Sequence, residues 1–188
     1  MESLLTTFLS VLLAECGDRT QILAAALALR FRNDRPVLLA LVLASAITIG
    51  MSAAAGSVID QYISEDPVRL FNGLAFASAG LAMLAWRKKV DLLSGWRTGP
   101  FWTAFLGLFI LQFGDKSQFL IVANAATTPA WGLTALGGWL GMMAAVVPAI
   151  LLKERLAALV PLNKVRRIGG VAMLLYGIYL ALRAWHII

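Results

Sequence analysis

The stretch Glu15-Cys16-Gly17-Asp18-Arg19-Thr20-Gln21 returns 97 residues later as Gln112-Phe113-Gly114-Asp115-Lys116-Ser117-Gln118. Each copy lies midway along an otherwise uncharged apolar run long enough to cross a bilayer, which sets its charged groups near the membrane midplane. That placement is costly. A central Asp, Lys or Arg costs about 2.5 to 3.5 kcal/mol to insert, so Glu15, Asp18, Arg19, Asp115 and Lys116 left unpaired would cost on the order of 12 to 17 kcal/mol together. Such groups need one another, water or a bound ion.

The surrounding composition agrees with a membrane setting. Of 188 residues, 60% are hydrophobic and only 14% charged, and the mean hydropathy is +0.81, outside the range of soluble globular proteins. The fold class expected is all-α integral membrane, a single transmembrane domain over residues 1–188 with six spans. The first apolar run is too long for a signal-peptide core, and Ala14-Glu15-Cys16 interrupts it, so it reads as a mature span. A lone cysteine, Cys16, rules out an internal disulfide and reads as a small packed residue; His186 reads as an interfacial polar tip. The net charge of +6 is not a nucleic-acid signal, because the basic residues fall in particular loops.

The spans are expected at about residues 4–29, 37–59, 67–86, 100–126, 130–152 and 168–185. Asp34 is expected to cap the second and Pro36 to open it, while Pro67 and Pro100 open the third and fourth. Ser45, Thr48 and Ser52 share one face of the second span, where they can touch a polar site or bond to their own helix or a neighbour. Gly137 and Gly141 suit close packing in the fifth, with a kink at Pro148. Trp86, Trp96, Trp102, Trp131 and Trp185 lie near span ends, as an interfacial belt would place them. Charge then sorts the loops. Arg30, Arg32, Arg35, Arg87, Lys88, Lys89, Arg97, Lys153, Arg155, Lys164, Arg166 and Arg167 fall on one side; the other carries chiefly Glu2, Asp60, Glu65 and Asp66 against Arg69 and Arg183. The positive-inside rule makes the first side cytoplasmic and puts both termini outside, in a multi-pass protein of the inner (plasma) membrane.

The 97-residue displacement also carries Gly73 to Gly170, Gly80 to Gly177 and Arg69 to Arg166. The chain therefore reads as two three-span repeats, residues 1–90 and 100–188, joined by a linker at 87–99. Three being odd, the second repeat enters the membrane from the opposite side. Transporters with such inverted repeats hold substrate near the midplane, where helices are interrupted. Gly17 and Gly114 lie at that depth and can either unwind the helix there or admit a close neighbour.

The residues that converge are rich in oxygen: the carboxylates of Glu15, Asp18 and Asp115, the amides of Gln21, Gln112 and Gln118, and the hydroxyls of Thr20 and Ser117. Hard divalent cations such as Mn²⁺ and Ca²⁺ take ligands of this kind, whereas zinc and copper would find almost no thiol or imidazole. Arg19 and Lys116 are the charge partners, expected to pair across the symmetry axis when no cation is bound, since bare acids would repel one another. Protons and a metal then compete for the same oxygens, the minimum requirement for cation/proton antiport. No nucleophile and base pair stands out, so no enzyme activity and no cofactor are expected.

Six spans, two inverted halves and a repeated E-x-G-D-[KR]-[TS] signature resemble the small manganese/calcium transporter family whose bacterial members export Mn²⁺ and whose eukaryotic members load the Golgi, with a distant similarity to LysE-type exporters. The resemblance covers essentially the whole chain. It implies a cation/proton antiporter in which Glu15, Asp18 and Asp115 bind the metal, helped by Thr20 and Ser117. One position departs from the pattern: Gln112 stands where the second signature has Glu, leaving three acids rather than four. The function expected is secondary active export of Mn²⁺, with Ca²⁺ as the second candidate, in exchange for protons, the partners being the cation, protons and the lipid bilayer and no nucleic acid. The alternatives are a LysE-like exporter of a small cationic organic solute and a non-transporting membrane scaffold.

Overall fold

The computed structural model describes residues 1–85 and 90–185. Among these there are helices and no strands. In chain order they are α1 (Glu2–Glu15), α2 (Arg19–Phe31), α3 (Asp34–Tyr62), α4 (Glu65–Leu84), α5 (Pro100–Gln112), α6 (Lys116–Ala125), α7 (Trp131–Leu152), α8 (Glu154–Leu159) and α9 (Leu162–Ala184). Four of them, α3, α4, α7 and α9, are individually long and apolar enough to cross a membrane, and the bent pair α5 and α6 makes a fifth crossing when taken as one. The stretch expected as the first span is the pair α1 and α2, whose break carries Glu15, Asp18 and Arg19.

Large apolar side chains cover the outside, while polar ones are buried together with an apolar core. On α3, Leu39, Leu43, Ile47 and Met51 recur every fourth residue and are exposed, while Ser45, Thr48 and Ser52 on the other side are buried. This is the reverse of a soluble helix and the arrangement a hydrocarbon solvent favours. The interior is built from Val11, Leu27, Leu41, Ile49, Leu108, Ile121, Met142 and Ile150, which bring α1, α2, α3, α5, α6 and α7 together. A second cluster, with Ala14, Phe76, Met83, Leu120 and Met173, ties α4 and α9 to α1 and α6.

Small residues set the closest approaches. Gly73 and Gly80 of α4 meet Gly177 and Gly170 of α9: a Cβ added to Gly80 would stand 2.6 Å from the Gly170 carbonyl oxygen, and one on Gly73 would stand 2.9 Å from that of Gly177. The two helices thus run antiparallel with backbones in contact. In α7, Gly141 faces α1 in the same way, with Phe8 O at 2.6 Å from the position of a Cβ.

Several local expectations shift. Asn33, not Asp34, caps α3 by accepting from Arg35 N, because Asp34 is already in the first turn and turns to Lys153, 2.9 Å away. The basic loop after α7 contains the short helix α8, and α9 begins at Leu162, earlier than the apolar run alone suggests. Of the basic and belt residues, Trp86, Arg87, Lys88, Lys89 and His186 lie outside the described residues.

Candidate metal centre

Both copies of the repeated stretch are helix breaks of one design. The chain leaves α1 at Cys16 and α5 at Phe113, passes through a glycine with positive φ (71° at Gly17, 76° at Gly114), and starts the next helix from an extended aspartate, Asp18 or Asp115. Only glycine adopts that φ without crowding its Cβ. Asp18 N donates to Glu15 O and Asp115 N to Gln112 O, both at 3.0 Å, closing the same tight turn. The glutamine four residues past each glycine then accepts its N–H: Gln21 Oε1 from Gly17 at 2.8 Å, Gln118 Oε1 from Gly114 at 3.5 Å. Gln21 is anchored further by its amide nitrogen, which donates to Ala145 O of α7 at 2.7 Å. The α5–α6 break bends the chain by 63°.

Because Asp18 and Asp115 are the N-caps of α2 and α6, their carboxylates sit at the positive ends of two helix dipoles. The breaks face each other. One oxygen from each of Glu15, Asp18 and Asp115 lies within 4.8 Å of the other two. The basic residues pair crosswise: Arg19 Nη2 donates to Asp115 Oδ1 at 3.3 Å, and Lys116 Nζ donates to Asp18 Oδ2 as well as to its neighbour Asp115, the latter at 3.2 Å. Each half of the chain thereby neutralises an aspartate of the other. Three carboxylates against two cations leave the cluster one negative charge when all three are ionised, and none when Glu15 holds a proton.

Glu15 differs from the aspartates. It is wholly buried, and neither of its oxygens accepts a hydrogen bond among the described residues. Ser117 lies beside it, but without hydrogen-bond geometry. A buried carboxylate left in that state is unfavourable by several kcal/mol unless a proton or cation joins it. Thr20 is buried in the first turn of α2. Gln112, at the position matching Glu15, is held instead by α3: Thr48 Oγ1 donates to its Oε1 at 3.0 Å, and its Nε2 donates to Ser45 Oγ at 3.2 Å. The hydroxyl face of α3 therefore reaches the site through Ser45 and Thr48, while Ser52 bonds back to Thr48 O in its own helix. The Ala145 carbonyl is an anchor of the site that residue types do not reveal, since every residue has a carbonyl.

The cage has the dimensions of a hard cation. An ion centred among three oxygens 4.8 Å apart would stand roughly 2.8 Å from each, so the carboxylates need to close by only a few tenths of an ångström to reach bonds of about 2.3 to 2.6 Å. A cavity of about 360 Å³ reaches one of them, Asp115, and is lined also by Arg19, Leu23, Leu93, Gly107, Leu111 and Gly114. A second polar cavity, of about 470 Å³, opens among Thr7, Asn72, Asn124 and Thr127 but has none of the site residues in its lining.

Comparison with known proteins agrees with this chemistry. A sequence model described as the divalent cation/proton antiporter GDT1 matches residues 3–91 and 100–187. The chain is 32% identical over 182 residues to a Vibrio cholerae protein whose name gives it provisionally as a manganese exporter, covering 93% of this chain and 88% of that one. It is 28% identical to the GDT1-like protein sll0615 of Synechocystis, over 93% of this chain and 96% of the relative, and 26% identical to GDT1-like protein 3 of Arabidopsis thaliana, over 92% and 68%. No solved structure matches. A family match over nearly the whole length, falling on both helix breaks and their carboxylates, identifies the chain as a member of the GDT1 divalent cation/proton antiporter family, a transporter and not an enzyme.

Proposed function

We propose that this chain exports a divalent cation, Mn²⁺ with Ca²⁺ as the second candidate, from the cytoplasm in exchange for protons, and that Glu15, Asp18 and Asp115 are its ligands. The observation that carries the reading is the unbonded, fully buried Glu15 carboxylate within 4.8 Å of two aspartates. At the depth of a bilayer such a carboxylate calls for a proton or a positive charge, and in this arrangement the Lys116 ammonium is the charge that faces it. Thr20 and Ser117 complete the oxygen set, and Gln112, Gln21 and Gln118 keep the breaks in shape. In the arrangement observed, the Lys116 ammonium stands between Asp18 and Asp115 where a cation would draw both in. An arriving divalent ion takes these oxygens over from Lys116 and displaces the Glu15 proton; reprotonation from the far side releases the ion.

The topology that serves this cycle has six crossings, with α1 and α2 together as the first, in two inverted three-span repeats and with both termini outside the inner membrane. Support comes from the matched geometry of the two breaks, from the family match falling in two stretches on either side of the linker, and from the pairing of α1 with α7 and of α5 with α3, which exchange under the repeat. The cavity that reaches Asp115 is lined in part by linker residues, and its position beside the linker supports a route to the site from the side that the basic loops would make cytoplasmic.

Purified protein in proteoliposomes with an internal pH dye tests the proposal. Mn²⁺ should drive proton movement, Ca²⁺ or Cd²⁺ should compete, and Asp18→Asn or Asp115→Asn should abolish the signal in folded protein. Wild-type flux in either mutant removes these residues from the mechanism. A second reading, export of a small organic cation, is favoured by one feature: the Lys116 contacts demonstrate that a primary ammonium fits between the aspartates. Competition by lysine or arginine, with indifference to Ca²⁺, would select it.

A further inference from the structure

The cavity beside the linker has a wall of unusual construction. Residues 90–96 are not helical, yet they are tightly braced: Asp91 Oδ1 accepts from Leu93 N at 2.9 Å, and Trp96 N donates to Leu93 O at 3.0 Å. Between these bonds Leu93 takes a left-handed conformation, φ 55°, which disfavours a branched side chain by roughly 1 kcal/mol. Something outside the loop must hold it there. Arg30, at the end of α2, does so by donating to three carbonyls of the loop: Leu93 O at 2.6 Å, Trp96 O at 2.9 Å and Ser94 O at 3.4 Å. The strained backbone in turn aims the Leu93 side chain at α5, into the space left by the absent side chain of Gly107. Its Cδ1 occupies the place a Cβ would take, next to Leu23 Cδ2. Leu93 and Gly107 both line the cavity that Asp115 and Arg19 also line.

The geometry points to residues 90–96 as a lid over the route to the metal centre, with Leu93 as its plug, Gly107 as the seat of the plug and Arg30 as the latch. This inference rests on the transport reading for its purpose but not for its test. The three carbonyl bonds sit at the water-facing rim, where each contributes modestly, so the latch is weak enough to open on the time scale of a transport cycle. Arg30 and Leu93 are positioning residues: neither touches the carboxylates, and both set how often solvent and cations reach them.

Cysteine accessibility tests the lid without relying on flux. Leu111→Cys, in the lining of the same cavity, is placed in a Cys16→Ser background and treated in proteoliposomes with a membrane-impermeant maleimide on the linker side. Adding Arg30→Gln should speed labelling about tenfold, the effect of losing the latch bonds. Gly107→Ala, which unseats the flexible tip of Leu93, should do the same. Labelling at the parental rate in both overturns the lid. Should Arg30→Gln not be recovered as folded protein, Leu93→Ala decides by the same readout. The two ideas fail separately: faster labelling in a chain that moves no cation keeps the lid and removes the transport reading, while robust Mn²⁺/H⁺ exchange with unchanged labelling does the reverse.

Discussion

Replacing Lys116 by methionine asks the most of the metal centre, because the substitution should improve binding while stopping transport. At an effective dielectric of about 20, an ammonium 3.2 Å from a carboxylate oxygen is attracted by about 5 kcal/mol, and two carboxylates 4.8 Å apart repel by about 3.5 kcal/mol. Without Lys116 the cation paired with the three acids among the described residues is Arg19, whose side chain is 38% exposed and therefore screened. A divalent ion no longer has to displace the ammonium from Asp18 and Asp115. Counting only the net worth of those two charge-assisted hydrogen bonds, about 1.5 kcal/mol each, the ion should bind about 100-fold more tightly, a difference of about 3 kcal/mol. Titration calorimetry of Mn²⁺ and Ca²⁺ into purified wild-type and Lys116→Met protein at one pH measures the change. Exchange in proteoliposomes should fall at the same time, since the more tightly held ion leaves more slowly and protons alone have to replace it on the acids. Equal or weaker affinity in a folded variant would refute the idea that lysine and metal share a place.

Two other outcomes follow from the packing. Gln112→Glu adds a second negative charge to the cluster while keeping a hydrogen-bond acceptor for Thr48, so apparent cation affinity should rise and the pH dependence of exchange should move; neither changing would put that position outside the site. Gly80→Val drives a side chain into the Leu174 backbone 2.5 Å from the new Cβ, where no rotamer relieves the clash, and should lower the thermal stability of detergent-solubilised protein by about 2 kcal/mol or more; an unchanged melting temperature would mean that α4 and α9 are farther apart than described.

Much of this arrangement is written plainly in the chain. Apolar runs bounded by Pro67 and Pro100 mark α4 and α5, and the repeated Gly-Asp-basic sequence marks both breaks, because a charge in hydrocarbon and a glycine in a helix are each unfavourable enough to need a reason. The crosswise pairing of Arg19 and Lys116 is expected for the same reason. Other parts are invisible at the level of residue type. Ser45 and Thr48 reach Gln112 only because α3 packs on α5, and periodicity cannot tell such a contact from a bond within the helix. Gln21 looks like one more ligand oxygen, yet its oxygen takes the Gly17 N–H and its nitrogen a distant carbonyl, bonds that depend on backbone placed by the fold. The linker reads as a spacer because a left-handed leucine has no sequence signature; its shape comes from Arg30, sixty-three positions earlier.

The exchange of counter-ions between the two breaks bears on biogenesis. As the chain leaves the ribosome, the first half carries two acids and an arginine into the bilayer long before Lys116 exists, and it stays electrically incomplete until the second half arrives. Neither half is a self-sufficient insertion unit. Produced as separate polypeptides they should be cleared by membrane proteolysis, and produced together they should rescue one another.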